Sequence, residues 1–136
     1  MIYGKSSKVW HPDKSVLLEC EIGEECTIHA PVWIGNKVKI GDYCKIQAFA
    51  FIPEGVTLGN HVFIGPHVCF TNDKYPPSTK LYHTHVGSDV TIGANATIIC
   101  GVKIGHDATI GAGSVVTKDV KAGDTVYGNP ARSRGA

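Results

Sequence analysis

Residues 16–70 read VLLECEIGEECTIHAPVWIGNKVKIGDYCKIQAFAFIPEGVTLGNHVFIGPHVCF, and a large apolar residue stands at every sixth position of this stretch. The series consists of Val16, Ile22, Ile28, Ile34, Ile40, Ile46, Ile52, Leu58, Ile64 and Phe70. A small side chain follows each member before Phe70 by four positions, at Cys20, Cys26, Val32, Val38, Cys44, Ala50, Val56, Val62 and Val68. A six-residue period fits neither a helix nor an indefinitely alternating strand, and it is typical of a parallel β-helix.

The series is interrupted once, because Val86 comes sixteen positions after Phe70 instead of six. It then continues through Val86, Ile92, Ile98, Ile104, Ile110 and Val116. Grouping the inward residues by threes predicts five triangular coils, 22-28-34, 40-46-52, 58-64-70, 86-92-98 and 104-110-116, with Val16 in a partial one. Coils of this kind stack about 4.8 Å apart, and their stability is a sum over neighbouring repeats. The predicted fold is all-β, a single-domain parallel β-helix of about five to six coils with one loop excursion.

The length of 136 residues fits one domain with one continuous core. Residues 1–15 are interpreted as an N-terminal cap over the open strand edges of the first coil. Residues 16–120 form the predicted β-helix with its loop at 71–85, and residues 121–136 form a C-terminal tail.

The charge and the apolar pattern exclude several classes of function. Thirteen basic and twelve acidic side chains give a net charge of +1, which favours neither nucleic acid nor an anionic membrane as a partner. No apolar run approaches the roughly 20 residues that span a bilayer. The first residues lack the apolar segment of a secretory signal, so a cytoplasmic location is expected.

The cysteines fit a reduced, buried role. There are five, and Cys20, Cys26 and Cys44 fall in the small positions of the repeat, where we expect them to act as small apolar side chains. Cys69 and Cys100 lie outside those positions, so the sequence leaves a reactive thiol open at either one.

Residues 71–85 (TNDKYPPSTKLYHTH) are the segment where function is expected. A solenoid gains no packing from a ten-residue insertion, whereas loops held by a rigid scaffold often bind ligands. Amide, carboxylate, ammonium, phenol and imidazole groups are concentrated here beside two prolines. The alternative is a tolerated surface loop.

Two segments carry a family resemblance that covers residues 16–132. Residues 110–120 (IGAGSVVTKDV) with 127–132 (YGNPAR) resemble the ending of acyl-CoA-dependent members of the hexapeptide-repeat acyltransferases. Residues 45–47 (KIQ) and 63–76 (FIGPHVCFTNDKYP) are similar to nucleotide-linked amino-sugar N-acetyltransferases, particularly those that act on dTDP-3-amino-3,6-dideoxyhexoses. Left-handed coiling is implied by this resemblance alone, since general chirality rules favour right-handed crossovers.

The resemblance also implies a homotrimer with each active site between neighbouring β-helices, and acetyl-CoA as co-substrate without a metal. A closed ring of three copies would repeat one head-to-tail contact. The pantetheine arm would lie along backbone amides at small corners, and the phosphates would meet basic side chains. The implied cofactor-binding residues are Ala94, Gly111, Ala112, Gly113, Lys118, Asn129, Pro130, Arg132 and Arg134. For the basic residues, a solvated surface charge is an equal alternative.

The implied chemistry is attack of a sugar amine on a thioester carbonyl, which needs a neutral, oriented amine and donors for the developing oxyanion. Asn72 and Asp73 would hold the amine, with Asp73 also favouring proton removal, and Gln47 would contact the sugar or nucleotide. His67 stands three residues after Ile64, faces outward and is the best histidine for a general base. A base is not obligatory, because the departing thiolate can accept the proton late. The further substrate-binding candidates are Lys74, Tyr75 and His85.

Three alternatives stay open on the sequence. Trimeric β-helices of the γ-class carbonic anhydrase type bind zinc through three imidazoles, but the H-x-x-x-x-H spacing that this class resembles is missing. An O-acetyltransferase acting on a hydroxyl acceptor would depend more strongly on His67 as a base. A noncatalytic β-helix that serves as an assembly surface would not bind acetyl-CoA at all.

Overall fold

The computed structural model describes residues 1–134, and twenty short strands dominate them. Helical structure in this range is limited to one 3₁₀ turn, Pro12–Lys14, so no helix here is long and apolar enough to cross a membrane. The strands form three sheets that the chain visits in rotation, which is the arrangement of a triangular parallel β-helix.

Each sheet contains every third strand of the chain as far as β18, and β19 and β20 both join the second sheet. The first sheet contains β1 (Ile2–Tyr3), β4 (Glu21–Ile22), β7 (Lys39–Ile40), β10 (Val56–Leu58), β13 (Thr84–Val86) and β16 (Lys103–Ile104). The second sheet contains β2 (Lys8–Val9), β5 (Thr27–Ile28), β8 (Lys45–Ile46), β11 (Phe63–Ile64), β14 (Thr91–Ile92), β17 (Thr109–Ile110), β19 (Thr125–Gly128) and β20 (Ala131–Ser133). The third sheet contains β3 (Val16–Leu17), β6 (Trp33–Ile34), β9 (Phe51–Ile52), β12 (Cys69–Phe70), β15 (Thr97–Ile98) and β18 (Val115–Val116).

The register of these sheets confirms the predicted grouping into five coils. Inward residues stack on one another from coil to coil, as in the parallel pairs Ile22 with Ile40, Ile28 with Ile46 and Ile34 with Ile52. These side chains are buried and form one continuous core. Every buried side-chain nitrogen and oxygen within residues 1–134 has a hydrogen-bond partner. The six-residue period therefore produces the interior of the prism directly.

The predicted inward position of Val16 is wrong by one residue. Val16 is 40% exposed and pairs with Trp33, while Leu17 pairs with Ile34 and packs against the core. The backbone amides of Val16 and Leu18 donate to Val32 and Ile34 at 2.9 Å, which sets this register. The segment from Leu17 to Ile22 is therefore one residue shorter than the regular repeat. Counting backwards from Ile22 in steps of six assumes a regular repeat, so it wrongly places Val16 inside.

The coils extend beyond residues 16–120 at both ends. β1 and β2 pair in parallel with β4 and β5, so residues 1–15 lie on the open edge of the next coil as strands of a further coil. At the other end, Val120 forms a parallel bridge with Ile104, and β19 pairs in parallel with β17. β20 then turns back antiparallel to β19, which closes the second sheet.

Small side chains occupy the corner positions as predicted. Cys20, Cys26 and Cys44 are at most 2% exposed, so their role as buried apolar side chains is confirmed. Cys100 is also buried, and burial raises the pKa of the partly exposed Cys69 thiol, which leaves neither well suited to act as a nucleophile.

The outer faces of the three sheets differ in chemistry. The residue before each inward residue points outward. On the first sheet these outward residues are Ile2, Glu21, Lys39, Thr57, His85 and Lys103. On the second sheet they are Lys8, Thr27, Lys45, Phe63, Thr91, Thr109 and Thr125. On the third sheet they are Val16, Trp33, Phe51, Cys69, Thr97 and Val115. The third sheet alone presents a mainly apolar outer face.

Candidate functional site

Four residues mark the corner between the second and third sheets, called here the 2–3 corner: Phe49, His67, Asn95 and Gly113. Each lies three positions after an inward residue of the second sheet and has a positive φ, between 61° and 73°. Glycine and asparagine adopt this left-handed backbone readily, whereas phenylalanine and histidine do so at a cost. The same conformation recurs at other corners, for example at Tyr43, His61 and Asp89, so it belongs to the repeat and does not by itself mark a functional residue.

The Phe49 and His67 rings stack face to face at this corner. Their centroids are 4.8 Å apart and their planes differ by 11°. Both side chains are exposed, and the stacking holds the plane of the imidazole. The ring nitrogens of His67 therefore lie at the surface in a defined orientation, as a general base requires.

On the C-terminal side of His67, the same corner carries small residues. Ala94 precedes Asn95, and Gly111, Ala112 and Gly113 follow in the next coil. The amide of Gly113 donates to the Ala94 carbonyl at 2.8 Å, and nothing lies within 4 Å of the place where a Gly113 side chain would begin. The backbone is therefore open to a close approach at Gly113, whereas Tyr127 covers Gly111, where an added Cβ would lie 2.7 Å from the Tyr127 Cβ.

The excursion at residues 71–85 leaves from the opposite edge of the third sheet, at the corner between the third and first sheets, called here the 3–1 corner. Asn72 is half-buried and its side-chain nitrogen donates to the Glu54 carbonyl at 3.0 Å, while its own carbonyl accepts the Tyr82 amide at 3.3 Å. Asn72 therefore anchors both ends of the loop, and its side-chain oxygen makes no hydrogen bond within residues 1–134.

The Asp73 carboxylate is already engaged inside this loop. One oxygen accepts the Ser78 hydroxyl at 2.5 Å and the other accepts the Ser78 amide at 2.8 Å. These bonds from Ser78 lower the pKa of Asp73 below its ordinary value. Asp73 is therefore well suited to stay anionic beside a cation and poorly suited to accept a proton, which weakens the proton-removal role considered for it.

The remaining loop candidates divide between two places. Lys74 lies 5.8 Å from the Tyr75 ring and 6.0 Å from the Tyr82 ring, and the two rings meet edge to face at 6.4 Å. His85 instead points outward from the first sheet, between Thr57 and Lys103. Lys74 and Tyr75 thus share the surface of the loop with Asn72, and His85 lies around the 3–1 corner from it.

The basic residues near the C-terminus also separate into two sets. Lys118 and Arg132 line one cavity of about 340 Å³ at the end of the prism, together with Lys121. Arg134 instead stacks on the Tyr127 ring at 4.5 Å and donates to the Tyr127 carbonyl at 3.2 Å. The turn at Asn129 and Pro130, between β19 and β20, is exposed. Asp119 and Asp124 line the same cavity, so its charge is mixed and a phosphate there would meet carboxylates as well as Lys118 and Arg132, while Arg134 is held by Tyr127.

One copy of the chain does not assemble all the candidates. Gln47 and His67 belong to the 2–3 corner, and Asn72 belongs to the 3–1 corner. Five Cα-to-Cα steps lead from His67 to Asn72, and a fully extended chain of that length spans at most about 16 Å. A direct proton transfer needs about 3 Å between heavy atoms.

The sequence reasoning missed the aromatic groups of the third sheet. Trp33 is 40% exposed and Phe51 39%, and their ring centroids lie 6.0 Å apart. The signal was present, because both residues immediately precede an inward residue of the same sheet. Sorting those preceding residues by sheet would have revealed the apolar face.

Metal binding has no support from the described side chains: within residues 1–134, no three His, Cys, Asp or Glu residues are placed to hold an ion together.

Comparison with known proteins agrees with the fold. Residues 37–72 and 83–118, more than half of the chain, match the family described as bacterial transferase hexapeptide (six repeats). The bifunctional protein GlmU of Clostridium beijerinckii is 30% identical over 91 residues, which are 66% of this chain and 19% of that protein.

Two solved structures extend the comparison. A mutant of GDP-perosamine N-acetyltransferase from Caulobacter crescentus, in complex with CoA and GDP-perosamine, is 28% identical with a TM-score of 0.74, and the match covers all of this chain and 58% of that one. A hexapeptide-repeat acetyltransferase from Vibrio cholerae, in complex with acetyl coenzyme A, is also 28% identical, with a TM-score of 0.66 and coverage of 99% and 69%. The chain thus spans about a fifth of the curated relative and little more than half of the Caulobacter enzyme.

The matched residues are the coils around the loop excursion, and their hexapeptide repeats fit a left-handed β-helix, as the resemblance implied. The regular stacking of inward residues and the extent of this match show that the chain belongs to the bacterial transferase hexapeptide family.

Proposed function

We propose that this chain is an acetyl-CoA-dependent N-acetyltransferase that acylates the amino group of a nucleotide-activated amino sugar, with dTDP-3-amino-3,6-dideoxyhexose as the substrate. The observation that carries the proposal is the layout of the 2–3 corner. His67 is followed there, coil by coil, by Ala94 and Gly113, which are joined by a backbone hydrogen bond, and the space beside the Gly113 backbone is open to an extended ligand. The CoA and GDP-perosamine bound by the Caulobacter enzyme support both halves of the proposal.

In the proposed reaction, the amine nitrogen forms a bond with the thioester carbonyl carbon and the carbon–sulfur bond breaks. The amine loses one proton, which passes to His67 or to the departing thiolate. A proton acceptor is most effective when its pKa lies near the working pH. Because the bonds from Ser78 lower the pKa of Asp73, His67 is the better acceptor of the two.

Asn72 and Asp73 would orient the amine rather than activate it. The Asn72 side-chain oxygen accepts a hydrogen bond from an amine, since its nitrogen is held by Glu54. The Asp73 carboxylate attracts the ammonium form of the substrate to the loop. Gln47, Lys74, Tyr75 and His85 are proposed to contact the sugar or nucleotide, and Lys118, Asn129, Pro130, Arg132 and Arg134 to contact CoA.

A homotrimer would complete this site. His67 and Asn72 lie at opposite edges of the third sheet, at two different corners of one copy, so a site that uses both would draw them from two copies. In a head-to-tail ring of three copies, the 2–3 corner of one copy meets the 3–1 corner of the next, and every site is built in the same way.

The activity is tested by thiol release from acetyl-CoA across nucleotide-linked amino sugars and their hydroxyl analogues. We expect turnover with the amines and none with the hydroxyl compounds. Turnover of the hydroxyl analogues alone would establish an O-acetyltransferase instead. Failure to bind acetyl-CoA in calorimetry would leave a noncatalytic β-helix.

The shared site is tested by complementation between His67→Asn and Asn72→Ala, each measured first alone. Asparagine tolerates the left-handed backbone at position 67, as Asn95 does in the next coil, so the fold is kept. If both variants are inactive, co-expressed copies should recover about one quarter of the wild-type activity, the share of random interfaces with both native residues. No recovery would contradict a shared site, and full activity of His67→Asn would remove His67 from the chemistry.

A further inference from the structure

The outer face of the second sheet carries two columns of side chains. Side chains alternate between the two faces of a strand, so the residues before and after each inward residue both point outward. On and just after β2, β5 and β8 these outward residues are Lys8, Trp10, Thr27, His29, Lys45 and Gln47. From β2 to β19 neither column contains an acidic residue, so the two lysines set the charge of this part of the face.

Four of these residues form one group, called here the Lys8–Lys45 patch: Lys8, Thr27, His29 and Lys45. Thr27 pairs with Lys8 on one side and with Lys45 on the other. Because neighbouring strands lie about 4.8 Å apart and lysine has a flexible stem, both ammonium groups can reach the level of Thr27. The patch therefore combines two cations, a hydroxyl and an imidazole, all of which can donate to phosphate oxygens.

A tryptophan stands at the N-terminal end of the patch. The backbone amides of Trp10, His29 and Gln47 each donate at 2.9 Å to the carbonyl of the inward residue in the next coil, so the three residues form one column. Trp10 is 48% exposed, and the Lys8 ammonium lies 6.0 Å from the centre of its ring. Neither lysine of the patch forms an ion pair with a carboxylate within residues 1–134. An exposed ring beside such cations suits a ligand that has a flat base and phosphates.

The proposed ring of three copies leaves the second sheet accessible. When the 2–3 corner of one copy meets the 3–1 corner of the next, the three third sheets enclose the ring axis. The second sheet of one copy and the first sheet of the next then form the walls of a crevice that opens outward. Gln47 lies on one wall and His85 on the other, so these two substrate candidates face the same crevice.

We infer that the Lys8–Lys45 patch binds the diphosphate of the nucleotide-activated sugar and that Trp10 stacks on its base. This inference rests on the proposed function and adds residues of the first coils to the acceptor site. The level of His67 lies two rungs, about 10 Å, beyond the level of His29, with Gln47 between them. A hexose that lies across Gln47 can present its amine to His67 while its phosphates contact the patch.

CoA also contains a diphosphate, but its proposed contacts lie in the coils after His67. The acceptor and the acyl donor would then approach His67 from opposite ends of the prism. The source of the diphosphate is therefore one of the questions that the experiment answers.

The test uses tryptophan fluorescence, because Trp10 and Trp33 are the two tryptophans of the chain. Trp33→Phe leaves Trp10 as the reporter, and Trp10→Phe leaves Trp33 as the matched control for light absorption by the nucleotide. Each variant is titrated with dTDP, UDP and GDP, with the three corresponding nucleosides, and with CoA. We expect saturable quenching of Trp10 by at least one diphosphate and at least about tenfold weaker binding of its nucleoside, which lacks the phosphates.

Three results of these titrations would overturn the inference. They are the absence of saturable quenching of Trp10 by all three diphosphates, equal affinity for diphosphate and nucleoside, and quenching by CoA that is as tight as quenching by the best diphosphate. The last result would assign the patch to the acyl donor. Quenching of Trp33 together with Trp10 would show that the signal does not come from the patch.

Lys45→Gln and Lys5→Gln, each made in the Trp33→Phe chain, form a matched pair. Both remove one positive charge, but Lys5 lies between β1 and β2, at the corner between the first and second sheets, which the ring turns away from the crevice. We expect Lys45→Gln to weaken the preferred diphosphate about tenfold and to leave the nucleoside unchanged, and Lys5→Gln to change either by less than about threefold.

Equal losses in the two variants would show that only the overall charge attracts the nucleotide, and would overturn the inference. Analytical ultracentrifugation of both variants gives the assembled mass. If Lys45→Gln lowers that mass together with the quenching, the patch is a contact between copies and the inference fails.

Quenching and turnover are measured separately. Quenching by a diphosphate without turnover of any amino sugar would keep the diphosphate site and remove the acetyltransferase assignment. Turnover of an amino sugar with the same KM in Lys45→Gln as in the unmodified chain would keep the enzyme and overturn the site.

Discussion

At the scale of single residues, the conformation of the backbone at the corners decides which side chains can act. His67 and Phe49 occupy left-handed positions that turn their rings outward and allow them to stack. The Asp73 carboxylate is held by two hydrogen bonds that Ser78 donates. The sequence shows that these side chains are polar or aromatic. The ring stacking of His67 and the hydrogen bonds of Asp73 decide which of the two can accept a proton.

Replacing Ser78 by alanine should raise the pKa of Asp73 towards its ordinary value, because the hydroxyl bond is its largest cause of lowering. A carboxyl whose pKa is lowered in the folded state stabilises that state at neutral pH, and the contribution is lost as the pH falls through the folded pKa. Carboxyl-carbon NMR titration measures the change. Ser78→Thr keeps the hydroxyl and serves as the control, and an unchanged pKa in Ser78→Ala would show that the bond has no such effect.

At the scale of elements, two-residue strands are stable only because they stack. Each inward residue contacts its equivalents above and below, and each small corner residue lets the chain turn without a collision. The close stacking of neighbouring coils also excludes a side chain at Gly65, where an added Cβ would lie 2.7 Å from the Ala94 amide nitrogen of the next coil.

Ile46→Asp should unfold the prism, since Ile46 has no exposed surface and an aspartate there would be an unpaired charge. We expect a loss of more than about 4 kcal/mol in the free energy of unfolding, against about 1 kcal/mol for the control Ile46→Val. Denaturant titration followed by circular dichroism measures both. A soluble, fully folded aspartate variant would contradict the inward register.

Gly65→Ala should be more destabilising than Gly113→Asn. The first change places a Cβ against backbone and costs about 1–3 kcal/mol. The second fills open space, and asparagine tolerates the left-handed conformation that Asn95 already adopts one coil earlier. Comparison of the two thermal unfolding midpoints gives the order, and the reverse order would show that the close approach at Gly65 relaxes easily.

At the scale of the whole molecule, the scaffold and the loop are separable. Each coil is stabilised only by the coils next to it. An insertion between two coils is therefore tolerated if both ends of the inserted segment reach the same corner. Here Thr71 and Asn72 leave the stack, and Thr84 returns to a buried corner position where its hydroxyl accepts the Gly101 amide at 3.2 Å.

Deletion of residues 73–82 restores the six-residue spacing between Phe70 and Val86. We expect the variant to stay folded, to bind acetyl-CoA, and to lose turnover by at least about a hundredfold because the amine is no longer oriented. Circular dichroism, calorimetry with acetyl-CoA and the thiol-release assay separate these outcomes. Full turnover would place the acceptor site outside the loop.

The sequence by itself determined the coil, because a period of six forces every inward residue into one of three stacked columns. The grouping by threes and the buried cysteines follow from that periodicity. The break in the period pointed to residues 71–85, and the family resemblance named Asn72 and Asp73 within that segment as candidates.

Only the tertiary structure decided what depends on contacts between distant residues. The shift from Val16 to Leu17 came from backbone bonds to β6, and the pairing of Asp73 with Ser78 came from the closure of the loop. Trp33 and Phe51 are eighteen positions apart and become one surface only when successive coils stack. The physical reason is that the period of six specifies which side of the chain is buried, whereas the neighbours of an exposed side chain depend on how many residues each corner contains.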